Sequence, residues 1–321
     1  MNLLGIEIGG SKLQLVTGTA DGRITDRRRL TVDRARGGAG IRDQIRETFT
    51  RLQPRFQWRA VGVGFGGPVD WRTGRICCSH HLAGWNDFAL GDWLRELSGL
   101  PVAVDNDTNV AAYAEARLGA GGHADPVFYT NSGSGVGGGL IADGRIYHGA
   151  KPGEAEFGHL RLNRRGTIVE SRCSGWAVDA KVRKLAARHP ESVLGRLAAA
   201  LDHGQAAALA PALQEHCPLA RQILEETAAD LAFALSHVVH LLHPQVIVLG
   251  GGLALLGEPW RAAVAAALPA FVMKAFHPVP EVLLSKLQED AVPSGALLLA
   301  ASAGQLSANG ATYNSLGQRP R

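Results

Sequence analysis

Three glycine clusters each close a short apolar run: Gly9-Gly10-Ser11-Lys12 after residues 3–8, residues 133–139 after 127–130, and Gly250-Gly251-Gly252 after 245–249. Glycine lets the backbone approach an anion and point its N–H groups at it, so each cluster suits a phosphate. A single such loop is as readily a tight hairpin turn. Three, each straight after a strand, point to a phosphorylated ligand. Two other readings of the glycines fail on context. The pattern G-x-G-x-x-G occurs at Gly62, Gly64 and Gly67 and again at Gly133, Gly135 and Gly138. A dinucleotide fingerprint needs a helix directly after the glycines. Here one match runs into Pro68-Val69-Asp70-Trp71 and the other into a strand and a turn. A G-x-x-x-x-G-K-[ST] loop is also absent, because Gly10-Ser11-Lys12 has its residues in another order.

The elements around these clusters alternate. Residues 3–8 and 13–16 read as strands joined by a glycine turn, and Asp21-Gly22 turns the chain into a third strand from Arg23-Ile24. Residues 41–52 have helical spacing, 60–65 form a buried strand, 88–97 a helix, 102–104 a strand, and 109–118 a helix rich in Ala and Glu. A Gly-rich break follows at 119–125. The order then repeats in part: a strand at 127–130, a glycine loop, a strand at 139–142, the Asp143-Gly144 turn, and residues 145–147. Residues 223–242 predict a long helix with Leu224, Leu231, Leu235, Val238 and Leu242 on its apolar side. Residues 245–249 predict a buried strand, and 295–303 an apolar, buried helix. The tail from Ser307 reads as disordered. Both halves open with strand, glycine turn, strand. That suggests a duplicated α/β unit with a ligand cleft between the copies. The expected domains are 1–118 and 119–303, with the last helix packing back on the N-terminal domain and 304–321 a flexible tail.

Composition narrows the function. The chain has 321 residues, 46% of them hydrophobic, which is enough for two domains with full cores. Its net charge of +4 is spread thinly; Arg27-Arg28-Arg29 is the densest run and has no interleaved aromatics, so no nucleic-acid stripe is expected. The four cysteines form no Cys-x-x-Cys pair or disulfide framework, which suits a reducing cytoplasm. No signal peptide and no run of about 18 apolar residues is visible, so no membrane partner is expected.

The motifs together resemble the ROK family of sugar kinases and sugar-responsive repressors, within the actin-like ATPase and hexokinase superfamily. Residues 5–12 look like the family's first phosphate loop, and 62–70 like its G-x-G-x-x-G-P-x-D stretch. Asp105-Asn106-Asp107-Thr108-Asn109 resembles its catalytic N-D-x-N, and 133–139 its second phosphate loop. Glu156-Phe157-Gly158-His159 matches E-x-G-H, Glu170-Ser171-Arg172-Cys173-Ser174 resembles E-x-x-x-S, and 248–252 resembles the adenosine motif. The resemblance covers residues 1–303. It implies an α/β, actin-like or hexokinase-type (ribonuclease H-like) fold, with two domains closing over ATP and a sugar. The family's repressors carry a DNA-binding helix-turn-helix first; here the phosphate hairpin begins at residue 3, which favours a kinase.

The resemblance also implies roles. Asp107 is the expected base for a sugar hydroxyl; its residue type also suits a helix N-cap, as do Asp105 and Thr108. Asn106, Glu156, His159, Glu170, Gly67 and His81 are the expected sugar contacts. Glu7, Gly9, Gly10, Ser11, Lys12, Gly133, Ser134, Gly135, Gly250, Gly251 and Gly252 are expected on ATP, with Mg²⁺ held mainly by ATP oxygens and water. Glu7 departs from the family's usual Asp, and Ser11 and Ser134 from its usual Thr. Lys12 reads equally well as a solvated lysine. His81 stands where family kinases often have Asn, and reads equally well as a loop histidine. Residues 162–169 lack the C-x-C-G-x-x-G-C cluster that holds structural zinc in many members, so no zinc is expected, and Trp176 is a candidate anchor for that loop. The implied activity is ATP-dependent phosphorylation of a hexose, glucose first, by a cytoplasmic homodimer.

Overall fold

The computed structural model describes residues 1–10, 12–79, 83–153 and 155–308. The chain runs through β1 (Leu3–Ile8), β2 (Lys12–Gly18), β3 (Ile24–Thr31), α1 (Gly37–Phe56), β4 (Val61–Phe65), β5 (Val69–Asp70), β6 (Arg75–Ile76), α2 (Leu90–Ser98), β7 (Val102–Asn106) and α3 (Asp107–Leu118). It continues through β8 (Val127–Ser132), β9 (Val136–Ala142), β10 (Arg145–Ile146), α4 (Glu170–Cys173), α5 (Gly175–Arg188), α6 (Val193–Ala199), α7 (Leu209–Gln214), α8 (Pro218–Leu242), β11 (Val246–Gly250), α9 (Glu258–Ala267), β12 (Glu281–Leu284) and α10 (Ala291–Ala308). Two compact units result. The first comprises Met1–Gly119, Arg145–Ala155 and the chain from Glu289; the second comprises Ala120–Gly144 and Glu156–Gln288. Beyond residues 1–118, then, the first unit takes in 145–155 and α10. Residues 304–308, expected in a flexible tail, are helical; from 309 the chain lies outside the described residues.

In the first unit the sheet order is β3-β2-β1-β4-β7. β1 lies antiparallel to β2, with Ile8 opposite Leu13, and parallel to β4. The period-two pattern divides the faces. Leu4, Ile6, Ile8, Val61, Val63 and Phe65 join the large core with Ile41, Ile45 and Phe49 of α1 and Leu90 and Leu94 of α2. The alternate positions of β4, Gly62 and Gly64, and the middle one of β1, Gly5, are glycines, and they let α10 lie on the backbone. A Cβ on Gly62 would stand 1.8 Å from the carbonyl oxygen of Ala296, and one on Gly64 2.5 Å from Val292 Cγ1. The helix answers with small residues of its own: a Cβ on Gly295 would stand 2.1 Å from Val110 O in α3. The first G-x-G pattern therefore serves helix packing.

The second unit repeats the opening. β9 lies antiparallel to β8, β11 runs parallel to β8 on its other side, and β12 is parallel to β11. Its long helix α8 starts at Pro218, earlier than the spacing suggests, with proline in the first turn where its missing N–H costs nothing. Leu224, Leu231, Leu235 and Val238 are buried, whereas Leu242, expected on the same face, is exposed at the C-terminal end. Among the described residues no helix is long and apolar enough to cross a membrane.

The contact between α10 and the sheet sets a stability test. Gly62→Ala would drive a methyl group into the Ala296 carbonyl, and overpacking of this kind costs about 1–3 kcal/mol. Thermal denaturation should show a lowered Tm for Gly62→Ala. A Tm within a degree of wild type would show that α10 can move off the strand.

Candidate functional site

In the first unit, β7 passes straight into α3. Asn106 is extended (φ −62°, ψ 143°), and its Oδ1 accepts from the backbone N–H groups of Thr108 (2.8 Å) and Asn109 (3.2 Å). The cap is therefore Asn106, and not Asp105, Asp107 or Thr108. A cap must stand one residue before the helix with its oxygen turned back over the first turn, and only Asn106 occupies that place. Asp107 becomes the first helical residue, where the helix dipole favours a negative charge. Its Oδ1 accepts from Thr108 Oγ1 (3.2 Å). A Cβ on Gly66 would stand 3.2 Å from Asp107 Oδ2, 3.4 Å from Ile8 O and 3.6 Å from Gly9 Cα. The Asp107 carboxylate, the end of β4 and the first glycine turn thus meet. Asn106 Nδ2 donates to Gly67 O (3.2 Å), so part of the Asn106 amide and the Gly67 carbonyl are already paired.

The first turn is closed by Gly9 N donating to Lys12 O (2.8 Å). Behind it Glu7 Oε2 accepts from Gln14 Nε2 (2.6 Å) and lies 3.6 Å from Lys12 Nζ. Lys12 is thus paired with Glu7 rather than standing alone in solvent. Gln14 is fully buried, and its Oε1 accepts from Arg29 Nε (3.2 Å), which in turn pairs with Glu289 (2.8 Å). Burial pushes the Glu7 carboxyl up from its ordinary pKa, against the pull of Lys12 and Gln14. Ser11 and His81 lie outside the described residues.

In the second unit the glycine loop is shorter than the sequence suggests. Val136 to Gly139 belong to β9, so the turn is Gly133-Ser134-Gly135. Its glycines are needed because the backbone is crowded by protein groups as well. Gly175 N donates to Gly133 O (2.7 Å), and Glu170 Oε2 accepts from Val136 N (2.9 Å). A Cβ on Gly135 would stand 2.4 Å from Glu170 Oε2. Glu170 therefore braces the turn with one carboxylate oxygen. On the other side of Val136, a Cβ on Gly158 would stand 2.1 Å from Val136 O, which brings the Glu156 to His159 segment against the same strand end. Glu156 and His159 are exposed, 4.0 Å apart.

The third cluster joins this turn. Gly251 has φ +78°, and a Cβ there would stand 2.5 Å from Asn131 Oδ1; a Cβ on Gly250 would stand 2.0 Å from the Tyr129 hydroxyl. Around Gly252 the nearest such atom is Ser132 O at 3.8 Å, leaving its backbone open. Sequence reasoning missed Asn131, whose buried Oδ1 has no hydrogen-bond partner beside Gly133 and Gly251. Its only signal was its place two residues before the glycine turn.

The loop that holds zinc in many relatives is closed here by its own backbone. Leu162 N donates to Thr167 O (2.8 Å), Val169 N donates to Leu160 O (3.0 Å), and Asn163 Oδ1 accepts from Arg165 N (2.9 Å). Val169 is fully buried, while Trp176 is 56% exposed and so is not the anchor. Cys173 is buried too, and burial pushes its thiol up to about 12. Among the described residues no three His, Cys, Asp or Glu side chains converge to hold a metal.

Sheets that open with strand, glycine turn, strand, a carboxylate at a strand-to-helix junction and a second glycine turn define an actin-like ATPase fold of the hexokinase type. The chain belongs to the ROK family, whose model matches residues 3–303. It is 29% identical over 307 residues to the glucokinase of Halalkalibacterium halodurans, covering 90% of this chain and 91% of that one. It is 30% identical over 311 residues to the N-acetylmannosamine kinase of Escherichia coli O127:H6, covering 94% and 98%. Among solved structures, a ROK family glucokinase from Streptomyces griseus in complex with glucose and AMPPNP superposes with a TM-score of 0.83 at 27% identity, covering 94% of this chain and 100% of that one.

Glu7 gives a pH test. A carboxyl whose folded pKa is raised costs stability once ionised, so its contribution is fully present below the unfolded value near 4.5 and is lost as pH rises through the folded value. Glu7→Gln should therefore raise Tm relative to wild type at pH 7, and the difference should shrink as pH falls towards 4.5. A difference that grows in acid would contradict this reading.

Proposed function

We propose that this chain is an ATP-dependent sugar kinase that transfers the γ-phosphoryl group of ATP to the 6-hydroxyl of a hexose. Glucose is the first candidate; N-acetylmannosamine, N-acetylglucosamine and fructose follow. Membership of the ROK family and the kinase relatives support the reaction. The observation that carries it is the strand-to-helix junction: Asn106 makes the cap, which places Asp107 at the first helical position with its Oδ2 beside Gly66, Ile8 O and the Gly9 turn.

Asp107 accepts the proton of the sugar hydroxyl as that oxygen bonds to the γ-phosphorus, the bridging oxygen to the β-phosphate departs, and ADP leaves. In the first unit Gly9 closes the turn through its N–H to Lys12 O, and Gly10, Ser11 and Lys12 bind the phosphates, Lys12 as the cation. In the second, the Gly133-Ser134-Gly135 turn binds the phosphates through its backbone and the Ser134 hydroxyl, and Gly250, Gly251 and Gly252 take the adenosine side. Asn106, Gly67, His81, Glu156, His159 and Glu170 bind sugar hydroxyls, Glu170 through the carboxylate oxygen not given to Val136. Mg²⁺ would be held mainly by ATP oxygens and water, with the hard carboxylate oxygens of Glu7 and of Asp107 beside the Gly9 turn suited to receive its water ligands. When bound, Mg²⁺ neutralises charge on the phosphate oxygens. The enzyme works in the cytoplasm as a homodimer, without structural zinc and without nucleic acid or membrane as partner.

A second reading is a sugar sensor that has lost catalysis. One observation favours it: Glu7, in place of the family's Asp, is engaged by Gln14 and Lys12. ADP release from Mg-ATP, measured against a panel of hexoses and N-acetylhexosamines, separates the two. The kinase reading expects strong turnover with one sugar and a loss of about 10²-fold or more in kcat for Asp107→Asn. No turnover with any sugar, together with sugar-dependent thermal stabilisation, would establish the sensor.

A further inference from the structure

We propose that His148 is a positioning residue for the Asn106-Asp107 junction, acting through Asp105; the proposal rests on the kinase reading above. Asp105 is buried at the end of β7, immediately before the two residues assigned to sugar and proton. Its Oδ1 accepts from the backbone N–H of Asn106 (2.8 Å) and from Asn109 Nδ2 (3.1 Å). Its Oδ2 faces His148 Nε2 at 2.6 Å. An ionised carboxylate only accepts, so Nε2 carries the hydrogen. Both oxygens of Asp105 are therefore committed, one to the junction and one to the imidazole.

The imidazole is itself held. Its ring lies on Trp71 with centroids 4.2 Å apart and planes 15° from parallel. Gly153 packs beside the stacked pair, where a Cβ would stand 3.1 Å from the Trp71 ring and 3.3 Å from His148 O, and Gly153 O accepts from Asn109 Nδ2 (3.4 Å). Asn109 cannot replace the imidazole, because its amide nitrogen already serves Asp105 Oδ1 and Gly153, and its buried Oδ1 is an acceptor like the carboxylate. Without the His148 N–H, a buried carboxylate oxygen loses its partner and must turn to find another. The turn draws Asp105 Oδ1 away from the Asn106 N–H. Asn106 carries the cap and precedes Asp107, so the base moves with it. A displacement of about 1 Å at a reacting group can cost about 10²-fold in rate.

Three variants separate positioning from packing. H148F keeps a planar ring on Trp71 and has no N–H; H148Q keeps a side-chain N–H and has no ring; Trp71→Leu removes the stack and leaves the bond to Asp105. Relative to wild type, H148F should lose about 10- to 100-fold in kcat, with KM for ATP and sugar within about threefold. H148Q should keep kcat within about threefold, and Trp71→Leu should lower Tm while largely retaining kcat. An H148F variant with kcat within twofold of wild type overturns the proposal. Equal kcat losses in H148F and H148Q, or in H148F and Trp71→Leu, overturn it as well, because packing alone would then account for the effect. A wild type inactive with every sugar removes the kinase reading and this proposal together, whereas an active wild type with an unaffected H148F removes only this proposal.

Discussion

The hydrogen bonds from Thr108 N and Asn109 N to the Asn106 side chain are the constraint on which the proposed chemistry depends. They place the start of α3 at Asp107, so a carboxylate occupies the first turn of a helix and gains from its dipole without capping it. Were Asp107 the cap, its oxygens would be turned back onto the helix N–H groups. The residues on either side divide the remaining work. Asp105 accepts from the junction's backbone, Asn109 links that carboxylate to Gly153, and Gly66 leaves room for Asp107 Oδ2 beside the Gly9 turn. The first is a local consequence of a strand running into a helix with no loop between; the contacts to Gly153 and Gly66 are tertiary.

Close backbone approach is the second requirement, and the glycines meet it in different ways. At Gly62 and Gly64 the approaching group is α10, and packing decides the residue type. At Gly135 and Gly251 the crowding comes from the side chains of Glu170 and Asn131, and Glu170 also braces its turn by accepting from Val136 N. Only Gly251 among these four also needs a left-handed conformation. Bracing matters because an anion site gains most when its donors are fixed before the anion arrives. Glu170 holds Val136, and Val136 abuts Gly158, so the exposed Glu156 and His159 rest on the same strand end.

Much of the fold was legible where the pattern is strong. The alternation of residues 3–8 and the glycine after them announced the hairpin, and the same pattern at 127–142 announced its repeat. The start of α1 was hidden by Gly37, Gly38 and Gly40, which look like a loop; the Ala83 carbonyl approaches Gly37, the Trp85 ring Gly38, and the Arg36 side chain Gly40. The helices α4, α5, α6, α7 and α9 and the strands β5, β6 and β12 went unread; α5 buries only Val178 and Val182, too short a stripe to recognise. At the site, resemblance to the family's N-D-x-N motif located the Asp105 to Asn109 cluster, but the caps considered were Asp105, Asp107 and Thr108; Asn caps as well as Asp, and the fold gives that place to Asn106. Trp176 misled because size argued for burial, whereas its place at the start of α5 leaves it exposed. His148 carried no signal at all, since its partner Asp105 is 43 residues away.

The central claim is that the Asp107 carboxylate, set at the first helical position by the Asn106 cap, drives phosphoryl transfer to a sugar hydroxyl. The most direct measurement is phosphorus NMR of the products formed from Mg-ATP and glucose. The account predicts ADP and a phosphate monoester coupled to the C6 methylene protons, in equal amounts, with negligible inorganic phosphate. ADP accompanied by inorganic phosphate alone, or a phosphorylated hydroxyl at another carbon, would contradict it.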